Sequence, residues 1–381
     1  MAPHRVAHVA LEPFEIVGLG ENRFSQRTRR VATLGCFFDE ENDLGHRPFI
    51  LRVIRYLAMR RLPFLALLLL ATALFADDKI VSRVHVGGEG GWDYVTVDSG
   101  ARRLYQSHGD RVVVLDIDKH TIVGEVLDTP GVHGVALAPG RGFVSAGKTN
   151  AVVVFDRDSL KRLGEWKTTG DNPDAILYDP HSKHLFTFNG RGKNATVFDA
   201  NSGEVVATID LGGKPEFAAT DQRGRVFVNV EDTNELAVID VKRNTVEKRW
   251  KLTGCEGPSG LAIDRLRHHL FSVCGNETMV ISDGDSGKVI GSAPIGKGVD
   301  GVAYDPAKNL AYSSNGRDGT ITVVRATDFK VVETIPSARG ARTIAVDEKT
   351  HHLFLPTAKL EPAEPRWKVV AGTFEVIEVA P

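Results

Sequence analysis

Seven polar residues recur along the chain at near-constant intervals. Asp93, His133, Asp174, Glu216, Ser259, Asp300 and Arg342 lie 40, 41, 42, 43, 41 and 42 residues apart. Four are carboxylates, one is an imidazole and one a guanidinium. Brought together, such side chains have a short list of uses. Oxygen ligands from Asp93, Asp174, Glu216 and Asp300 suit a hard divalent cation, calcium being the candidate cofactor. His133 beside those carboxylates is placed to act as a base. Arg342, joined by Arg191 and Arg317, can hold a peptide or another anion. The plainer reading is that a wetted surface needs polar residues, with Asp300 and Arg342 forming an ion pair.

What positions these residues is a repeat. Each heads a short apolar run: DYVTVD (93–98), HGVALA (133–138), DAILYD (174–179), EFAATD (216–221), SGLAID (259–264), DGVAYD (300–305) and RTIAVD (342–347). A turn follows, then a second strand with an aromatic, then a third such as VVVLD (112–116) or VVVFD (152–156), and in six units a fourth such as EVVATI (204–209). Four short strands every 41 or so residues, with no helical periodicity between them, predict an all-β seven-bladed β-propeller of four-stranded antiparallel blades. The seventh unit ends at TFEVIEVAP (373–381) without a fourth strand, and KIVSRVHVGG (79–88) reads like the missing one. Strand 79–86 is therefore expected to pair with the last blade and close the ring, removing two open sheet edges.

In such a ring the first strands line a central channel and their starting ends open on one face. Second strands return to that face near His108, Asn189, Cys274 and Asn315, and the loops NGRGKN (189–194) and NGRDGT (315–320) add Arg191 and Arg317. That face is the candidate site, comprising Asp93, His133, Asp174, Glu216, Asp300, Arg342, His108, Asn189, Arg191, Asn315 and Arg317.

Aromatics in six of seven second strands (Tyr105, Phe186, Phe227, Phe271, Tyr312 and Phe354, with Val144 the exception) and Asn at 189 and 315 carry a resemblance. From Lys79 onward the chain resembles the YVTN-repeat β-propellers, and within them the YncE-like extracytoplasmic members, although a literal YVTN never occurs. The likeness implies the fold; it says little of activity, because propellers host enzymes, binders and scaffolds alike. Propeller lactonases of the gluconolactonase type use carboxylates on this face to hold a metal that activates water, so a metal-dependent hydrolase or lactonase is the enzyme alternative. Cys255 and Cys274 fall on the same face, in a stretch (254–274) also similar to YncE-like proteins. In an oxidising compartment they are expected to form a disulfide, the alternative being two free thiols.

The remaining signals set the compartment and exclude functions. The run Leu62–Ala76, preceded by Met59-Arg60-Arg61, has the parts of a signal peptide (59–76) with cleavage near Ala73 or Ala76. Since such a segment starts a chain, residues 1–58 read as an upstream extension from a mis-called start, and 77–381 as a single propeller domain. Its product would be periplasmic or extracellular, with no transmembrane anchor. Of the 47 Lys+Arg and 49 Asp+Glu, residues 1–76 hold ten and seven, leaving 77–381 at net −5. That sign argues against nucleic acid as a partner. No CxxCH, G-x-S-x-G, H-E-x-x-H or P-loop occurs, and no nucleophile–base pair stands out. The expectation is thus an exported, monomeric binding protein for a protein, peptide or small ligand at the polar channel face, more a binder than an enzyme.

Overall fold

A computed structural model describes residues 79–363 and 367–381. The expected extension (1–58) and signal peptide (59–76) lie outside the described residues. Seven four-stranded sheets follow one another, six of them in chain order. The first is Trp92–Asp98, Arg103–His108, Arg111–Asp116 and Thr121–Val126. All pairings are antiparallel, and each first strand packs against the first strand of its neighbour, so these strands ring the axis. The fold is a seven-bladed β-propeller. Among the described residues no helix is long and apolar enough to cross a membrane.

Burial follows strand position. The third strands are buried on both sides (Val112, Val113 and Val114 are each 0% exposed) because a blade packs on either face of them. Such strands read as unbroken apolar runs rather than alternations. The outer strand Thr121–Val126 is mostly exposed. Core clusters accordingly span neighbouring blades, as where Phe186 and Val197 meet Val226, Val228 and Ala237. The Asp ending a third strand closes the next turn: Asp116, Asp156, Asp199, Asp240 and Asp283 each accept a backbone N–H three residues on. Those bonds hold all five carboxyls below their ordinary value, together with Lys119 for Asp116 and the Ser286 hydroxyl for Asp283.

The blades also lock at their outer edges. Trp166 fills space that a side chain at Gly203 of the following blade would occupy, and Trp250 does the same at Gly287; both glycines have φ near +75°.

The ring closes as expected. Ile80–His85 pairs antiparallel with Glu375–Val379, Arg83 facing Ile377 and Val84 facing Val376, and the Val86 and Gly87 amides donate to the Phe374 carbonyl at 2.9 Å.

Two expectations are corrected. The second strand of blade 2 has its aromatic after all: Phe143 pairs with Ala136 as Tyr105 does with Thr96, so Val144 lies one residue out of register. All seven second strands carry the aromatic. In blade 7 the first strand shortens to Ala345–Val346, and Arg342 precedes it. Its carbonyl instead accepts from the Gly301 amide at 2.9 Å.

Candidate functional site

The ring residues sit at a built irregularity. In blades 1 to 6 the pairing of the first strand with the second shifts at the ring position, between Trp92 and Val95, Val132 and Val135, Pro173 and Ile176, Pro215 and Ala218, Pro258 and Leu261, and Val299 and Gly301. A β-bulge re-aims a side chain, and here it falls on Asp93, His133, Asp174, Glu216, Ser259 and Asp300. Polar clamps fix the same backbone. Ser145 Oγ donates to the Asp174 carbonyl (2.6 Å), Asn229 Nδ2 to that of Ser259 (3.0 Å) and Thr343 Oγ1 to that of Asp93 (2.8 Å); Ser314 Oγ donates to that of Arg342. Each clamp runs from one blade to the next.

Just beneath the ring the axis is filled. Tyr94 and Phe217 meet edge to face with centroids 5.1 Å apart. The same position holds Gly134, Gly260 and Gly301 in other blades, where space is tight: a Cβ on Gly260 would lie 2.9 Å from the Asp300 carbonyl oxygen. The mouth is therefore a cup with an aromatic floor.

Three ionic groupings line it. His133 Nδ1 is 2.7 Å from Asp93 Oδ2 and 3.5 Å from Asp174 Oδ1. Lys214 Nζ pairs with Glu216 and with Glu231. Arg342 Nε is 2.8 Å from Asp300 Oδ2, and its Nη2 is 3.6 Å from Asp93 Oδ1 and donates to the Trp92 carbonyl at 2.9 Å. The Asp300–Arg342 pair read from the repeat thus exists.

Burial raises the carboxyls more than these cations lower them. Asp174 is pushed up to about 6 by burial and the Asp93 charge, against His133 and Lys214. Asp300 reaches about 7 by burial and Asp93, against Arg342. Glu216 reaches about 8 by burial and Asp174, against Lys214. For His133, burial alone would lower the imidazole, but the Asp93 hydrogen bond and the Asp174, Asp93 and Glu216 charges together raise it.

The four carboxylates do not converge on one point. Asp93, His133 and Asp174 bring their ligand atoms within 4.8 Å of one another, whereas Glu216 and Asp300 are each held by their own cation. A set with imidazole suits a first-row transition metal or zinc better than calcium.

Three other sequence candidates lie elsewhere. His108 is buried, stacked on Phe374 with centroids 4.2 Å apart, its Nε2 3.0 Å from the Gly87 carbonyl. Asn189 and Asn315 are buried and spend their amides on the turns, donating to Asn194 and Thr196, and to Thr320 and Thr322. All three are buried with partners and line neither mouth cavity. Cys255 and Cys274 form the disulfide, with Cα atoms 5.4 Å apart.

Arg191 and Arg317 do reach the mouth. Arg191 lines a cavity of about 360 Å³ with Asp93, His133, Asn172, Lys148 and Arg342. Arg317 and Arg342 line an adjoining one of about 920 Å³. The two share Gly91, Trp92 and Arg342. Among the described residues, no ion pair engages Lys148, Arg191 or Arg317, and Asp93 is the one carboxylate lining either cavity. A cavity of about 630 Å³ at the opposite strand ends, between blades 4 and 5, differs in that Arg225, Arg267 and His268 there are paired with Glu247, Asp264 and Asp285.

Sequence reading missed Lys148, Lys214 and the whole 920 Å³ cavity. Lys214 had a signal: it lies two residues before Glu216 in the sequence, within reach of its carboxylate. The cavity owes part of its wall to Leu360, Trp367 and Val369, in the long second-to-third strand connection of blade 7, where the other blades make this connection in two to four residues.

No known protein-family profile matches the chain. Over 205 residues it is 24% identical to the uncharacterized protein YncE of Salmonella typhi, and equally to that of Salmonella typhimurium, a match covering 51% of this chain. The chain spans about half (56%) of the length of these relatives. Among solved structures, hydrazine synthase of Kuenenia stuttgartiensis superposes with a TM-score of 0.63 at 15% identity over 71% of this chain and 94% of that one. U3-55K superposes at 0.69 with 9% identity over 79% and 98%. These structural likenesses speak for the fold alone. The chain is a seven-bladed β-propeller with distant homology to YncE.

Proposed function

We propose that the protein is an exported binding module, acting as a monomer in the periplasm or outside the cell, that takes an anionic small ligand or the anionic group of a peptide or protein at the channel mouth. One observation carries this reading. The two joined cavities are lined by Lys148, Arg191, Arg317 and Arg342, the first three without a carboxylate partner among the described residues, against the single carboxylate of Asp93. Guanidinium groups spare of partners and aimed at a cavity match carboxylate, sulfonate or phosphate oxygens. Rigid blades carrying loops of varied length suit such a role.

The test is a thermal-shift screen of the full chain with simple carboxylates, sulfonates and phosphate esters, repeated on Arg191→Ala/Arg317→Ala. At least one anion class should raise the melting temperature of the wild type and not of the variant. Equal shifts in both proteins would place anion binding elsewhere.

A second reading has its own observation, the Asp93–His133–Asp174 donor set. Those residues would hold a divalent ion able to activate water, as a metal-dependent hydrolase or lactonase requires. Elemental mass spectrometry decides it. A near-stoichiometric metal lost in His133→Ala would support it, and the same metal content in wild type and variant would remove it.

A further inference from the structure

From the wall of the larger cavity we infer that the ligand is an amphiphilic anion, with an aromatic or branched apolar body behind the charged group. This rests on the anion reading above and goes beyond it. The chain between the second and third strands of blade 7 is the one long connection of its kind in the ring, and among its described residues (358–363 and 367–374) Leu360–Glu361 pairs antiparallel with Lys368–Val369. A compact domain rarely keeps a loop of this length without a task. This one adds apolar surface beside the arginines: Leu360, Val369 and Trp367 line the cavity together with Trp92. Trp367 is 49% exposed. The Arg339 guanidinium lies 5.2 Å from its ring centroid, which holds the indole at the rim.

Trp92 supplies the second observation. Its side chain is more than nine-tenths buried, packed on Phe374, yet its indole Nε1 has no acceptor among the described residues. Buried indole N–H groups ordinarily find one. Trp92 lines both cavities beside Arg342. Arg317, exposed and without an ion pair among the described residues, lines the same cavity, and no carboxylate does. Guanidinium groups and indoles lining one cavity select a ligand with both characters. A simple inorganic anion would leave the wall unused, and a neutral apolar molecule would leave the arginines unpaired.

The experiment titrates the full chain with 8-anilinonaphthalene-1-sulfonate, an amphiphilic anion, and with its uncharged analogue N-phenyl-1-naphthylamine. Binding of the sulfonate at one site per chain is expected. The uncharged analogue and Arg317→Ala should each bind about tenfold more weakly, as loss of a charge-assisted contact implies. Trp367→Ala, an exposed change checked by its melting curve, should weaken the sulfonate roughly fivefold. If Trp367→Ala binds as wild type while Arg317→Ala does not, the amphiphile inference falls and the anion reading stands. If Arg317→Ala and Arg191→Ala both bind as wild type, the anion reading itself falls, and this inference with it.

Discussion

The imidazole Nδ1 of His133 lies 2.7 Å from Asp93 Oδ2, a hydrogen bond that joins blade 2 to blade 1 at the mouth of the channel. Around it Asp174, Glu216 and Asp300 all stand above their ordinary carboxyl range, chiefly because they are buried. A carboxyl raised on folding adds stability when protonated, and that stability is lost as pH rises through its folded value. The raised His133 acts in the same direction, its contribution present below its ordinary value and lost above the folded one. All four groups therefore favour the folded state at lower pH. Between pH 8 and pH 5 the protein should gain roughly 2 kcal/mol, seen as a rise of about 5 °C in melting temperature. Differential scanning fluorimetry across that range checks it, and a melting point that falls steadily from pH 8 to pH 5 would contradict it.

Closure of the ring depends on Ile80–His85. Val84 faces Val376 in the ladder with Glu375–Val379, and its side chain packs with Leu104, Leu115 and Phe354. Val84→Pro would remove a ladder donor and leave its acceptor unpaired, and is expected to cost about 2 kcal/mol. Deleting residues 77–88 should reduce stability further by exposing two sheet edges. Chemical denaturation measures both, and an unchanged midpoint in the deletion would mean the ring is held without this strand.

The Cys255–Cys274 bond ties the loop before blade 5 to the end of that blade's second strand, 19 residues on. For a loop of that length the chain-entropy account gives about 3 kcal/mol. Cys255→Ser/Cys274→Ser should lose roughly that amount, and the non-reduced native protein should label neither of these cysteines. Labelling of both would show that the bond does not form.

Much of this was legible in the sequence, for identifiable reasons. A 41-residue period with apolar third strands reports blade stacking, because residues buried on both sides leave an unbroken run such as Val112–Val114. Asp300 and Arg342 could be paired on paper because the period puts them on adjacent blades. Other features depend on register or on added chain, which periodicity does not carry. Val144 stood in for Phe143 because one residue of register separates them. His108, Asn189 and Asn315 end strands on the correct face, yet their side chains turn inward to the backbone and the turns. The bulges that aim Asp93 and its counterparts leave no compositional mark. Trp367 belongs to an insertion peculiar to blade 7, outside any repeat.

The most direct test of the mouth as an anion site is a calorimetric titration of the full chain with 8-anilinonaphthalene-1-sulfonate, before and after Arg191→Ala/Arg317→Ala. One site per chain in the wild type, weakened by about tenfold or more in the variant and competed by the anion class found in the thermal screen, is the expected result. Identical affinity and stoichiometry in the two proteins would contradict it.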